Sequence, residues 1–379
     1  QIFAATACFN MDTYRFYRKW IADMRDAQRE SGAYTHVAPH VNRMGWGSAG
    51  WGDAGVILPW VLYEFYGDTQ VLKEHYASMQ QWIQYLVDSS ENLIRGNTIG
   101  DHLSIGEKAP NDVVATAYFA YSVRLLGKIA EVLHRMEDQS YYQSLFQMIC
   151  EKFNQQFVSD EGQIKGDTQT GYVLALQMEL LPEEKWGLAA THLVRRLQEN
   201  DWHLSTGFLG VGYLLKVLSE AGFDEVAYKL LHQETYPSWL YSVNNGATTI
   251  WERWNSWTHA GGFGDTDMNS FNHYSLGAVG EWLYKYVAGI RPDPADPGFR
   301  HVWIEPRIGG SLQWVKFTYE SVHGPLSSSW EKTETGIHMR IDLPTNVIAD
   351  VQVPGYRLPT GDRQIQLGAG CVDLDWVKN

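Results

Sequence analysis

The sequence predicts a mainly α protein: an (α/α)6 barrel, or toroid, over residues 1–288, followed by a small antiparallel β-sandwich over 289–379. Three observations carry this. Apolar residues recur at three- and four-residue spacing in segment after segment as far as Val287. These segments are joined alternately by short turns and by long glycine- and aromatic-rich loops, the pattern of helix pairs closed in a ring with one member of each pair facing the axis. After Gly289 the texture changes to alternation, behind a connector, "RPDPADPGF", whose prolines cannot continue a helix. A length of 379 residues also suits two units, since single cores stop growing near ~250–300 residues.

Residues 2–9 form the first short helical piece. In "DTYRFYRKWIADMRDAQRE", Asp12 is placed to cap, Tyr14, Tyr17, Ile21 and Met24 share one face, and "SGA" ends the helix. Further helices are drawn over roughly 53–66, 68–90, 111–136, 138–157, 169–180, 183–200, 207–221, 223–234 and 271–288. That makes about eleven against the twelve of six closed pairs, so the chain is expected to begin partway through a domain. Strands follow in "HVWIEPRI", "LQWVKFTYES", "GPLSSSWEKTETGIHMRIDLP" and "NVIADVQVP". They carry no chemical motif and read as structural support.

Composition narrows the function. A formal charge of −14 argues against nucleic acid as partner, because phosphate backbones are bound by Lys and Arg. No apolar run reaches the ~18–20 residues of a membrane span, so no spanning helix is expected. Aromatic residues reach 13%, with 16 Trp and 21 Tyr, beyond the needs of a core and suited to stacking on sugar rings. Cys8, Cys150 and Cys371 match no metal spacing, and no metal or other cofactor is expected. No GxSxG, Walker loop, HExxH or dinucleotide fingerprint occurs in a fitting context, and no DDxxD or DxDD run of a terpenoid cyclase is present. The opening "QIFAATACFN" shows no signal segment; a periplasmic or secreted location is compatible with it.

Four loops gather polar and aromatic residues that a plain bundle would not need. "MGWGSAGWGDAGVILPW" offers Trp51 as a stacking face and Asp53 as an acceptor, although Asp53 also suits a helix N-cap. "NTIGDHLSIGEKAPND" presents Asp101, His102 and Glu107, residue types that also form turns. "NNGATTIWERWNSW" sets Glu252 and Arg253 among Trp251, Trp254 and Trp257. Indoles around a carboxylate raise its pKa while an adjacent Arg lowers it, the tuning a general base requires; an inert Arg–Glu pair is the competing reading. "THAGGFGDTDMNSFNHYSLGAVGEWLYKYV" holds Asp265 and Asp267 and leads into a helix expected to start near Asn269. His273 in its first turn would be kept neutral by the helix dipole. Acidic, tryptophan-rich loops on an α-toroid leave glycoside chemistry as the leading class, with two carboxyl groups flanking the scissile bond.

The segments "SAGWGDAGVILPWVLYEFYGD", "NDVVATAYFAYSVRLL", "DTQTGYVLAL", "STGFLGVGYLL", "YPSWLYSVNNGATTIWERWNSW" and "SFNHYSLGAVGEWLY", in this order, resemble the catalytic region of the glycoside hydrolase family 78 α-L-rhamnosidases. The resemblance covers nearly the whole chain and implies an (α/α)6 barrel with a C-terminal β-sandwich that hydrolyses terminal α-L-rhamnosides with inversion. By resemblance Glu252 takes the general-base position, and Trp51 and His273 match residues that hold the rhamnose ring. Asp53, Asp101, His102 and Trp251 complete the expected sugar-binding set. Two departures stand out. His102 stands where family members usually carry a tryptophan after the aspartate, which makes one wall of the pocket more polar and leaves open another deoxy-sugar or a uronic acid. The family's "DxPQRDERxGWTGDA"-like segment, whose glutamate is the general acid, would lie just upstream of Gln1. The chain by itself is therefore expected to be an impaired enzyme of limited solubility, and a non-catalytic sugar-binding protein is the alternative from a different class.

Overall fold

Inner and outer helices are distinguishable by how their apolar residues are distributed. In the computed structural model, which describes residues 1–41 and 44–379, α3 (Ala54–Tyr66) and α5 (Asn111–Val132) are apolar nearly all round and buried almost throughout. By contrast α2 (Tyr14–Asp26) buries one stripe, Tyr17, Ile21 and Met24, as its periodicity predicts, and α8 (Glu183–Glu199) buries Ala189, Ala190, Leu193 and Leu197. The first kind faces the axis and the second faces solvent.

Six helices form the inner ring: α1 (Ala4–Asn10), α3, α5, α7 (Gln169–Gln177), α9 (Phe208–Glu220) and α12 (Val279–Trp282). The last is entered through a 3-10 turn, Ser275–Ala278, and prolonged by a π turn, Leu283–Val287. Each packs on the next, and α12 packs on α1, so the ring closes. Among the described residues the outer layer comprises α2, α4 (Thr69–Asp88), α6 (Met136–Phe157), α8 and α10 (Asp224–Leu231). α4 starts where Asp68 accepts the amides of Gln70 and Val71. α5 is long and apolar enough to cross a membrane by length and composition, but 83% of that stretch is buried inside the barrel.

Two features depart from the helices read in the sequence. A short helix, α11 (Trp239–Asn244), capped by Ser238 accepting the Tyr241 amide, lies in a stretch given no element. The final helix begins at Ser275 rather than near Asn269, so His273 lies in the loop before it and not in its first turn.

The helical part ends at Val287 and the first sandwich strand starts at Ile290. Strands β1 (Trp257–Thr258) and β2 (Gly262–Phe263) form a small ribbon inside the last barrel loop. One sandwich sheet, ordered β5-β6-β7-β11-β9, is antiparallel and consists of Trp314–Ser321, Gly324–Lys332, Gly336–Leu343, Gly370–Lys378 and Tyr356–Arg357. The other is ordered β10-β8-β4-β3, with Ile365–Leu367, Ile348–Val351, His301–Ile304 and Ile290–Pro292. It contains one parallel pair, β4 with β8, which simple alternation does not reveal. Alternate residues of β7, Ile337, Met339, Ile341 and Leu343, point into the sandwich core.

Aromatic rings join the two parts. Phe9 and Phe65 of the barrel lie edge to face at 4.9 Å, Phe65 meets Phe299 at 5.5 Å, and Phe299 meets Tyr319 at 4.6 Å. Trp330 donates its indole N–H to Val287 O across the junction, at 2.8 Å.

Candidate active site

The loops that precede α3, α5, α9 and α12 all lie at the N-terminal end of the inner helices and are tied to one another in sequence. Ala49 N donates to Asn97 O at 3.0 Å, Ile105 N to Ser205 O at 2.9 Å, and the Trp254 indole to Thr206 O at 2.9 Å. Gly207 lets the second loop lie against the third: a Cβ there would meet His102 O at 2.2 Å and Ser104 N at 2.5 Å.

Two buried aspartates fix these loops. Asp53 is fully buried and accepts Gly50 N at 2.7 Å, the Trp82 indole at 3.1 Å and the Ser122 hydroxyl at 2.6 Å. Its own turn is thereby closed and pinned to α4 and α5, with Trp51 held at the rim. Asp53 was expected to bind sugar or to cap α3; its side chain makes no cap bond, and its oxygens face protein donors. Asp101, also buried, accepts Leu209 N and Gly207 N, each at 2.7 Å, Gly210 N at 3.3 Å and the Thr170 hydroxyl. It thus caps α9 from another loop, where the N-cap residue Gly207 has no side chain to do so. Burial pushes both carboxyls upward in pKa, against the pull of their donors. Glu107 is likewise engaged, by Arg196 at 2.9 Å and by the Gln169 amide at 2.6 Å.

What these anchors present is a row of rings. Trp51 meets His102 edge to face at 6.3 Å, His102 meets Phe208 at 5.2 Å, and Phe208 stacks on His273 at 5.3 Å. Burial lowers the pKa of both histidines, although the Glu252 charge pulls each the other way, so both are neutral at pH 7. For His273 the cause is desolvation rather than the helix dipole expected from sequence. Its Nδ1 accepts the Ser275 amide at 3.3 Å, which puts the proton on Nε2 as a donor.

Glu252 is clamped to Ser270 twice. Its backbone N donates to Ser270 O at 2.8 Å, and its Oε2 accepts Ser270 N at 2.7 Å. Oε1 has no protein partner among the described residues, and the side chain is only partly buried. The competing Arg–Glu pair does not form: Arg253 turns to Asp265 at 3.2 Å and to Met268 O at 3.2 Å. The tryptophan fence mostly packs its own loop. Trp254 is buried edge to face on Trp239 at 5.4 Å, and Trp251, 7% exposed, is edge to face with Phe271 at 5.3 Å. Trp257 remains half-buried beside His259.

The structure therefore brings together Glu252, His102, His273 and Trp51, and sets Asp53, Asp101 and Trp251 behind them. Sequence reasoning missed Phe208, the ring between the two histidines, and Ser270, the clamp. An aromatic residue at a helix start between two glycines, "GFLG", was the available sign for the first; the second acts through its backbone and left none.

A closed ring of helix pairs with loop-borne rings around a single lightly engaged carboxylate, and a sandwich appended, is the architecture of a six-hairpin glycosidase. Within that class the chain belongs to the bacterial alpha-L-rhamnosidases. The model of their 6 hairpin glycosidase domain matches residues 1–287, and that of their C-terminal domain matches residues 289–367. An alpha-L-rhamnosidase of Streptomyces avermitilis is 47% identical over 354 residues, covering 93% of this chain and 34% of that protein. One from Formosa agariphila is 39% identical, over 93% of this chain and 39% of the relative. Among solved structures, the Streptomyces avermitilis alpha-L-rhamnosidase complexed with L-rhamnose superposes with a TM-score of 0.94 at 43% identity, over 98% of this chain and 37% of that one. The alpha-L-rhamnosidase from Dictyoglumus thermophilum gives 0.90 at 32% identity, over 100% and 45%. The chain thus spans between a third and a half of the length of these relatives.

Proposed function

We propose that this chain carries the sugar-binding and water-activating part of an α-L-rhamnosidase that hydrolyses terminal α-L-rhamnosides with inversion, with Glu252 as general base. The observation that supports this most is the state of the Glu252 carboxylate. One oxygen is oriented by the Ser270 amide, and the other is left for a water beside two neutral histidines and Trp51. In this reading the His273 Nε2–H and His102 bond ring hydroxyls, and Trp51 covers an apolar face and the C6 methyl. Asp53, Asp101 and Trp251 act one layer back, by holding the loops. No nucleic acid or membrane surface enters the reading.

An inverting reaction also needs an acid to protonate the leaving oxygen. Asp53 and Asp101 have raised pKa values but are buried among protein donors. Asp265 is exposed but is held ionised, its pKa depressed by the amides of Asp267 and Met268 and by Arg253. None suits the role, so the chain by itself should turn over slowly. Two measurements on an aryl α-L-rhamnoside test the proposal. Proton NMR should show β-L-rhamnose as the first-formed anomer, and Glu252→Gln should lower kcat by about 10²–10⁴-fold with little change in rhamnose affinity. First formation of the α-anomer, or a loss below about tenfold, would remove Glu252 from the base role.

A further inference from the structure

The barrel axis holds a cavity that the chemistry above does not use. It measures about 310 Å3, at the lower end of the ~300–1,000 Å3 typical of small-molecule sites. Its walls include side chains one turn apart on the inner helices, Trp60 and Glu64 on α3, Arg124 and Lys128 on α5, Tyr213 and Lys216 on α9, and Glu252 is not among them. Phe208 is among the lining residues and also stacks on His273 at 5.3 Å.

The charges of this cavity cancel. Glu64, Glu179, Glu220 and Glu281 face Arg124, Lys128, Lys216 and Lys285. Part of the set is satisfied internally: Arg124 pairs with Glu179, Lys285 with Glu281 at 2.5 Å, and Glu220 accepts the Tyr286 hydroxyl at 2.8 Å. Glu64, Lys128 and Lys216 remain. All three are half-buried, and their charged ends form no ion pair or hydrogen bond among the described residues. Burial accordingly lowers the Lys128 pKa, with Arg124 adding to the effect.

A small anion attracted by the two lysines would meet Glu64, and a cation would meet the lysines. A hydroxyl suits both, because it donates to a carboxylate and accepts from an ammonium in one bond pair. Trp60, Trp186 and Tyr213 add flat apolar faces. We propose that the axial cavity is a second, non-catalytic binding site for a neutral polyhydroxylated ring the size of one sugar. It stands independently of the role given to Glu252.

Calorimetry on the chain with L-rhamnose, D-galactose and myo-inositol, and with inorganic phosphate as the anionic probe, tests this. At least one polyol should bind at a site that His273→Ala leaves intact and that Lys216→Met or Trp60→Leu weakens about tenfold or more. A crystal soaked with that polyol should show its ring between Trp60 and Lys216, a readout that needs no variant. The proposal is overturned if no polyol occupies the cavity, if all binding disappears with His273→Ala, or if phosphate binds there in preference. Distal binding without binding at the Glu252 end would count against the active-site reading and not against this one.

Discussion

Asp101→Asn isolates what a buried carboxylate does at the head of an inner helix. In the parent, Oδ1 serves the amides of Leu209 and Gly210, and Oδ2 serves Gly207 N and the Thr170 hydroxyl. The asparagine keeps one oxygen for Leu209 and Gly210. Thr170 can rotate its hydroxyl to accept from the new NH2, but the Gly207 amide cannot, and one buried N–H is left facing a donor. That costs about 1–3 kcal/mol, and loss of a charge at the α9 N-terminus adds about 0.3–1 kcal/mol. With an unfolding entropy near ~2.1 cal/mol/K per residue over a unit of this size, a loss of about 1–4 kcal/mol lowers Tm by about 2–7 °C. Because Asp101 precedes His102 in the chain, sugar affinity should fall as well, while Glu252, clamped to Ser270, keeps its geometry. Near-UV circular dichroism on heating reads the first effect and calorimetry with L-rhamnose the second. A variant as stable as the parent and binding as tightly would refute the view that Asp101 is an anchor.

Other expectations follow from the same geometry. Gly207→Ala should destabilise by more than a surface change, by about 2 kcal/mol or more, since its Cβ would collide with His102 O; denaturant melts showing less than about 0.5 kcal/mol would contradict the close approach. In the sandwich, His301 bonds Asp293 at 2.6 Å and Asp350 at 2.8 Å, and although burial lowers its pKa the two carboxylates more than reverse this and leave it raised. Its contribution to stability is therefore full below the unfolded value near ~6.5 and is lost as pH rises through the folded value. His301→Gln should flatten the fall in stability above that pH, and an unchanged pH profile would dismiss the clamp. Trp330→Phe removes the indole bond to Val287 O and should cost about 1–3 kcal/mol, read by the same denaturant melts.

The barrel was legible because inner and outer helices differ in texture, as "AGVILPWVLYEF" differs from "YRFYRKWIADMRD", and periodicity reports burial directly. The change from helix to strand after Val287 has an equally local sign in the prolines that follow it. The parallel pairing of β4 with β8 has no such sign, because register between distant strands is set by packing rather than by alternation. The late start of α12 was hidden as well: "NSFNHYS" keeps apolar spacing, yet Ile250 O takes the His273 amide and Ser270 is held by Glu252, so those backbone groups are committed to the neighbouring loop.

At the candidate site, the tasks of the acids were not separable by residue type. Asp53, Asp101, Glu107 and Glu252 all read as acids in aromatic loops. What distinguishes them is how many protein donors each carboxylate meets: three for Asp53, four for Asp101, and a single amide for Glu252 among the described residues. A buried carboxylate whose acceptor sites are mostly taken by protein donors is poorly placed to accept a proton from water. Under the proposed function the acid with an oxygen free is the one that acts, and it can be left free because the others hold the loops around it. The tryptophans sort by the same rule: Trp254 and Trp251 are enclosed by their own loop, whereas Trp51, raised on the turn that Asp53 closes, keeps a face open beside His102.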